Sequence, residues 1–401
     1  MPQFQKLHPI KESSGSIANI DALCRALDIS STELAQVRAL SSSQRYEKKE
    51  VPKKDGSTRT VHNPHYALRK IQRRINRRIF ANPDVVSWPD YIFGSIPNDE
   101  SAEDPIDRDY VNCARQHCGA KSILSVDIKD FFNNIHRHQV IGIFKNFLKY
   151  SEEVSVILAD ICCDDEHVVQ GALTSSYIAS LCLFETEGDL AKKLGYKGLV
   201  YTRFVDDITI SSKIAKYEFS YALTLTEQML NDAGLPLNSG KTKVQNASMK
   251  PLIVHGLRVD FEQPRLPPDE ARRIRASVKN LELLAASPGY RASRSYRKDF
   301  NRSMGRVNKL ARVGHSQHSI LLSRLRRILP LPSHADIGKA EELIQRLQKD
   351  FWRPNYQTSY WFHKRYHVAI ERLGILKRSF PKKAEELNRI LKLIRPASRN
   401  D

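Results

Sequence analysis

The chain predicts an α+β fold in which an antiparallel sheet carries acidic residues and a basic, helical region follows it. Three observations lead there. Residues 201–212 (YTRFVDDITISS) alternate apolar and polar side chains on both sides of an Asp-Asp pair, the period of a β-hairpin with Asp206 and Asp207 at its tip. Residues 122–128 (SILSVDI) form an apolar, strand-like run interrupted by Asp127. Beyond residue 262, apolar residues recur at helical spacing among clusters of Lys and Arg.

Adjacent carboxylates on a tight turn repel each other and are costly in a buried fold without a partner. A divalent cation relieves this, because hard carboxylate oxygens suit Mg²⁺ and its bound phosphates. For Asp206 and Asp207 alone, a solvated turn is the simpler alternative. Asp127 adds weight to the cation, since a charge buried unpaired in an apolar strand costs several kcal/mol or forces neutralisation. Such a three-carboxylate set can hold two Mg²⁺ ions about 4 Å apart for in-line phosphoryl transfer.

Four segments stand in order along the chain: 126–132 (VDIKDFF), 170–176 (QGALTSS), 204–207 (FVDD) and 234–242 (GLPLNSGKT). They resemble the motifs of reverse transcriptases of the bacterial retron and defence-associated type, with group II intron-like palm and fingers. The counterparts are the first palm motif, the Gln-Gly-x-x-x-Ser-Pro motif, the aromatic-x-Asp-Asp box, and a motif in which Lys follows Asn by three residues. Four motifs in order are specific where each alone is weak. The resemblance covers roughly residues 20–260. Ser176 stands where Pro is usual. Cys113 stands at the Asn of an Asn-Ala-x-x-His element, leaving Ala114 and His117 in place, and His255 stands at the Thr of Val-Thr-Gly. A hydrogen-bonded structural residue is the simpler reading of His117.

The resemblance implies a right-hand polymerase with fingers, a palm containing an antiparallel sheet, and a helical thumb. Residues 1–84 are N-terminal helices and fingers, with an amphipathic helix at 20–27 and a Ser-rich link at 41–43. In 51–61 (VPKKDGSTRTV), Asp-Gly between strand-like residues signals a hairpin. It resembles the fingers hairpin whose basic residues, here Arg59 and Lys54, meet the incoming triphosphate; a solvated hairpin edged by Lys is the alternative. Residues 66–80 read as a basic amphipathic helix, with Leu68, Ile71, Ile75 and Ile79 inward and Arg69, Arg73 and Arg77 turned to template phosphates or solvent. The palm spans 85–262, with a long helix after Gly171 running through residue 190. Pro264, Pro267 and Pro268 punctuate its exit. A thumb at 263–332 and a basic helical extension at 333–401 follow, the latter with helices at 341–351, 361–376 and 381–394. In 360–366 (YWFHKRY), aromatics mixed with cations either stack on unpaired RNA bases or form core.

The resemblance also implies roles. Asp127 and Asp206 coordinate two Mg²⁺ ions, for which Mn²⁺ can substitute; Asp207 is a looser ligand, and the carbonyl of Ile128 completes one shell. Phe132 is the steric gate against ribonucleotides, or else a core ring as Phe131 is. Gln170 and Gly171 pack under the nucleotide and template base. Lys241 is the candidate acid for the departing pyrophosphate, with Lys243 as rival. Nucleic-acid contacts fall to Arg272, Arg273, Arg324, Arg326 and Arg327, and to Trp361, Lys364 and Arg365.

Charge placement agrees. Residues 1–260 hold 33 Lys/Arg against 32 Asp/Glu, whereas residues 261–401 hold 31 against 13, a net of +18. An excess this large in one region repels itself unless it meets a polyanion, which points to nucleic acid. No apolar run approaches a membrane span, and the N-terminus lacks a signal-peptide core. Six cysteines without a C-x-x-C pair predict reduced thiols in a cytoplasmic protein. The expected function is RNA-directed DNA synthesis from a primer and dNTPs on a dedicated noncoding RNA, in bacterial antiviral defence, with an effector protein encoded nearby as a further partner. The alternatives are a protein-primed or template-independent nucleotidyltransferase on the same fold, and a non-catalytic nucleic-acid-binding scaffold. Intact Asp127, Asp206, Asp207, Gln170 and Lys241 argue against the scaffold.

Overall fold

The computed structural model describes residues 4–52, 56–99, 107–354 and 356–396. The chain folds as two compact units, Met1–Pro264 and Arg265–Asp401.

In the first unit, β1 (Tyr46–Pro52) and β2 (Thr58–Pro64) form an antiparallel hairpin. A separate sheet is built from β3 (Ile92–Phe93), β4 (Ser122–Asp127), β5 (Val200–Phe204), β6 (Asp207–Ser212) and β7 (Lys243–Asn246), in the order β7-β4-β6-β5-β3. All its pairings are antiparallel except the short β3–β5 edge. A small hairpin, β8 (Ile253–Val254) and β9 (Leu257–Arg258), follows.

Strand alternation gives the five-stranded sheet two unlike faces. Leu124, Val126, Tyr201, Ile208 and Ile210 point one way into the main hydrophobic core, each at most 2% exposed. Burying each such side chain contributes about 1.5–3 kcal/mol. The other face presents Asp127, Ser125, Thr202, Thr209, Ser211 and Asp207, so most polar residues of the alternating runs gather on one side, with Arg203 on the core face as an exception. A one-residue slip of β4 against β6 would turn Asp127 into the apolar core and carry Leu124 and Val126 out of it, which fixes the register.

Helices cover the apolar face. Ile20–Leu27 starts at Asn19, whose side chain accepts from Ala22 N, and Ser31–Arg38 starts with a Ser30/Glu33 capping box. In the helix Tyr66–Ile75 and its continuation to Phe80, Leu68, Ile71, Ile75 and Ile79 are all buried. The Ser-rich stretch expected as a link instead forms the short helix Ser42–Arg45, because Ser41 and Gln44 make a capping box. The long helix expected after Gly171 is two helices, Ser175–Leu181 and Glu187–Tyr196. The break turns Glu187 toward β5 and sets Gly188 against Leu7, where a Cβ has no room.

The second unit carries 31 Lys/Arg against 12 Asp/Glu, so the first is neutral overall. Its helices are Pro268–Ala286, Arg294–Arg312, Gln317–Arg327, His334–Phe351, Tyr360–Leu376 and Pro381–Leu393. The last three share a core of their own built on Ile344, Leu347, Phe362, Leu376, Leu387 and Leu391. Among the described residues, no helix is long and apolar enough to cross a membrane.

Candidate active site

The polar face of the sheet ends in a cleft of about 440 Å³ lined by Ser125, Asp127, Asp207, Thr209, Lys241, Lys243 and His255. Asp127 closes β4, Asp207 opens β6, and the two are directly paired. Asp207 also pairs with Phe204, so the hairpin tip is Val205–Asp206, one residue earlier than the alternation suggests. Val205 takes φ +59°, at a turn position that usually demands Gly. For a β-branched residue this costs on the order of 1–3 kcal/mol and persists only where the surroundings enforce it. Gly94 is one such surrounding: a Cβ there would lie 3.1 Å from Val205 Cγ2. Another is the Ile128 amide, which donates to Asp206 O at 3.0 Å.

The loop after the helix Ser220–Asp232 supplies the cation. Leu237 bridges to Ile128, and Lys129 N donates to Pro236 O, laying residues 236–241 along the end of β4. Asn238 donates through Nδ2 to Asp127 Oδ2 (2.8 Å), while its carbonyl accepts from the amides of Lys241 and Thr242. That turn delivers Lys241 Nζ to Asp127 Oδ1 at 2.9 Å, although the Lys241 side chain is 65% exposed. The bond holds the ammonium pKa above its usual value.

The carboxylates remain under electrostatic pressure. Burial first, then Asp127, raises the Asp206 pKa. Burial first, then Asp206 and Asp127, pushes the Asp207 carboxyl up to about 6. One lysine does not compensate three acids, and the donors are hard oxygens, so Asp127, Asp206 and Asp207 fit a divalent cation. Among the described residues, no three His, Cys, Asp or Glu side chains close around one point.

Behind Asp207, two positions that depart from the retron pattern meet each other: Cys113 Sγ lies 3.3 Å from His255 Nε2. The His255 ring packs tilted by 45° against Phe204 with centroids 4.8 Å apart, and its Nδ1 is 4.0 Å from Asp207 Oδ2. His117 is buried between Ser211 and Thr202, 2.7 Å from each hydroxyl, and burial pushes its pKa down to about 3. It is a neutral pin between β5 and β6.

Gln170 and Gly171 lie against the β1–β2 hairpin. His62 N donates to Gln170 O, and Gly171, at φ +111°, has no room for a Cβ beside His62 O. Arg59 is exposed on β2, and Lys54 lies outside the described residues. Phe131 is buried and Phe132 is partly exposed, on a short 3₁₀ turn (Phe131–Asn134) packed against the helix Ser175–Leu181.

The second-unit residues divide. Arg272 pairs with Asp269, Arg324 pairs with Glu282 through two bonds, and Arg365 pairs with the buried Asp350. Arg273, Arg326 and Arg327 are exposed. Phe362 and Tyr366 are core, while Trp361 is 54% exposed with Lys364 Nζ 5.1 Å from its ring centroid. The aromatic-cationic patch is therefore half core and half surface.

Sequence reasoning left out Asn238, Arg203 and His255 as site residues. Asn238 had a signal, since it shares its motif with Lys241. Arg203 and His255 acquire their importance only from what tertiary structure puts beside them.

The family profile for reverse transcriptase (RNA-dependent DNA polymerase) matches residues 51–263. The retron Ec48 reverse transcriptase of Escherichia coli is 45% identical over 396 residues, spanning 98% of this chain and 96% of that protein. The retron Se72 reverse transcriptase of Salmonella heidelberg (strain 579083-10) is 31% identical over 343 residues, spanning 84% and 86%. Enzymes of this family are divalent-metal-dependent polymerases, in keeping with the crowded acids at the end of β4 and β6. Similarity that runs nearly end to end outweighs the departures at Cys113, Ser176 and His255, and the chain belongs to the retron-type reverse transcriptases, an RNA-directed DNA polymerase working on an RNA template.

Proposed function

We propose that this enzyme extends a primer with dNTPs on a dedicated noncoding RNA, in the cytoplasm and in bacterial antiviral defence, with an effector protein encoded nearby. The observation that carries the chemistry is the direct pairing of Asp127 with Asp207 beside Asp206, with Lys241 bonded to Asp127. In this reading 1–84 serve as N-terminal helices and fingers, 85–262 as palm, 263–332 as thumb and 333–401 as an RNA-docking extension.

Asp127, Asp206, Asp207 and the Ile128 carbonyl are the proposed ligands of two Mg²⁺ ions. Bound there, Mg²⁺ would lower the pKa of the primer 3′-hydroxyl and neutralise charge on the leaving pyrophosphate. Asn238 holds Asp127 Oδ2 so that the carboxylate cannot rotate away. Lys241 serves as cation and proton donor to the pyrophosphate, with Lys243 of the same cleft as the rival for that role. Arg59, and Lys54 with it, meets the triphosphate; Gln170 and Gly171 support the nucleotide from the fingers side. Phe132 presents the ring that excludes a ribose 2′-hydroxyl. Phe132→Ala is expected to raise ribonucleotide over deoxynucleotide incorporation by about tenfold or more, a loss of about 1.4 kcal/mol of discrimination. Unchanged selectivity in an active variant would reduce Phe132 to packing.

The template claim is tested by sequencing the nucleic acid that copurifies with the chain expressed from its native locus. One structured RNA together with DNA complementary to part of it is expected. RNA of mixed origin without complementary DNA would refute a dedicated template. Template-independent addition would instead give DNA unrelated to any RNA in the sample.

A further inference from the structure

We infer that Arg203 is a positioning residue for the turn that carries Asp206, gripping it from the face of the sheet opposite the carboxylates. The inference rests on the proposed role of Asp206.

Arg203 lies on β5, pointing into the core, and is fully buried. All five of its guanidinium N–H donors are used. Nε and Nη2 bond the two carboxylate oxygens of Glu187 at 2.5 and 2.7 Å. Nη1 and Nη2 also bond the carbonyls of Ala179 and Ser180 at 3.0 and 2.9 Å, at the end of the preceding helix. The fifth bond runs from Nη1 to Val205 O at 3.2 Å. Tyr201 donates its hydroxyl to Glu187 at 2.7 Å, completing the acid's shell.

Stability alone gives little reason for this arrangement, since a buried ion pair can be exchanged for apolar residues of similar volume without loss. Its charge is not aimed at the catalytic acids either: Arg203 is compensated by Glu187, on the other side of the sheet. Apolar residues cannot reproduce the bonds to the carbonyls of Ala179, Ser180 and Val205, and of these Val205 O is the one on the turn that carries Asp206. Val205 is the residue at φ +59°, immediately before Asp206. Four of the five bonds anchor the guanidinium to two helices, and the fifth transmits that anchor to the strained peptide. Together with the Ile128 amide on Asp206 O, it fixes the turn from both ends before any substrate arrives. A displacement of about 1 Å in such a site can cost about a hundredfold in rate.

The test uses the full-length chain in single-nucleotide primer extension, with kcat, KM for primer–template and Tm measured for each variant. Arg203→Met combined with Glu187→Leu leaves no unpaired buried charge. It is expected to keep KM within about twofold and lower kcat by about a hundredfold. Adding Val205→Gly should restore at least about tenfold of kcat, because Gly takes positive φ without strain and the turn no longer needs the grip. Arg203→Lys, which keeps the charge against Glu187 but lacks the planar fork, provides the same kcat-against-KM split should the double variant not fold. The inference is overturned if either variant keeps kcat within about threefold of wild type, or if kcat tracks Tm and Val205→Gly restores nothing. Asp206→Ala run in parallel separates the two failures: an active Asp206→Ala refutes the role of Asp206, whereas an inactive one beside fully active Arg203 variants refutes only the grip.

Discussion

Replacing Asp206 and Asp207 together with alanine is expected to lower primer extension by at least about a thousandfold, equivalent to about 4 kcal/mol of transition-state stabilisation. Both acids sit where β5 and β6 meet the end of β4, and removing them leaves Asp127 as the one carboxylate among the described residues that line the cleft. The fold should not suffer. The Asp207 carboxyl is pushed up to about 6 from 3.8, so in the absence of metal its charged form opposes folding. That penalty is present in full above about pH 6 and fades as the pH falls toward 3.8. With EDTA present, the double variant should therefore melt no lower than wild type at pH 7.5, and any gain should close at low pH. Substantial Mg²⁺-dependent synthesis by this variant would remove the metal assignment.

Deleting residues 333–401 is expected to weaken binding of the copurifying RNA by about tenfold or more at moderate salt, while single-nucleotide extension on a short primer–template survives. The segment carries 15 Lys/Arg against 8 Asp/Glu, and its helices form a hydrophobic cluster of their own. Each phosphate contact contributes up to about −0.9 to the double-logarithmic salt slope, so the truncated chain should show a slope shallower by about 2 or more. The deletion also removes the Arg297–Asp336 ion pair and the bond from Arg378 to Pro330 O. If the segment is a brace, the truncated chain will be insoluble. A soluble truncation with unchanged affinity and slope would rule out RNA docking by this segment.

Much of the site was legible because its chemistry is local. Alternation around Asp206 and Asp207 and the lone acid in 122–128 gave the strands, and the resemblance of 234–242 to a family motif pointed to Lys241. The direct opposition of Asp127 and Asp207 was not legible, since it depends on a register set by apolar burial on the far face. Val205's backbone was hidden for the same reason: a valine reads as strand, and only Gly94, Ile128 and Arg203 hold it in a turn. The helix expected to run through residue 190 breaks because Glu187 answers to Arg203, a partner sixteen residues on. In the second unit the helices follow from spacing, but which arginines stay available does not. Arg324 meets Glu282 forty-two residues away, and Arg365 meets Asp350.

The most direct measurement of the central claim is incorporation of dTMP by the purified wild-type chain on poly(rA)·oligo(dT), beside oligo(dT) alone and beside the same reaction with EDTA. RNA-directed synthesis predicts products that lengthen only with poly(rA) and only with a divalent cation. Extension of oligo(dT) without template, or no extension under any of these conditions, would contradict it.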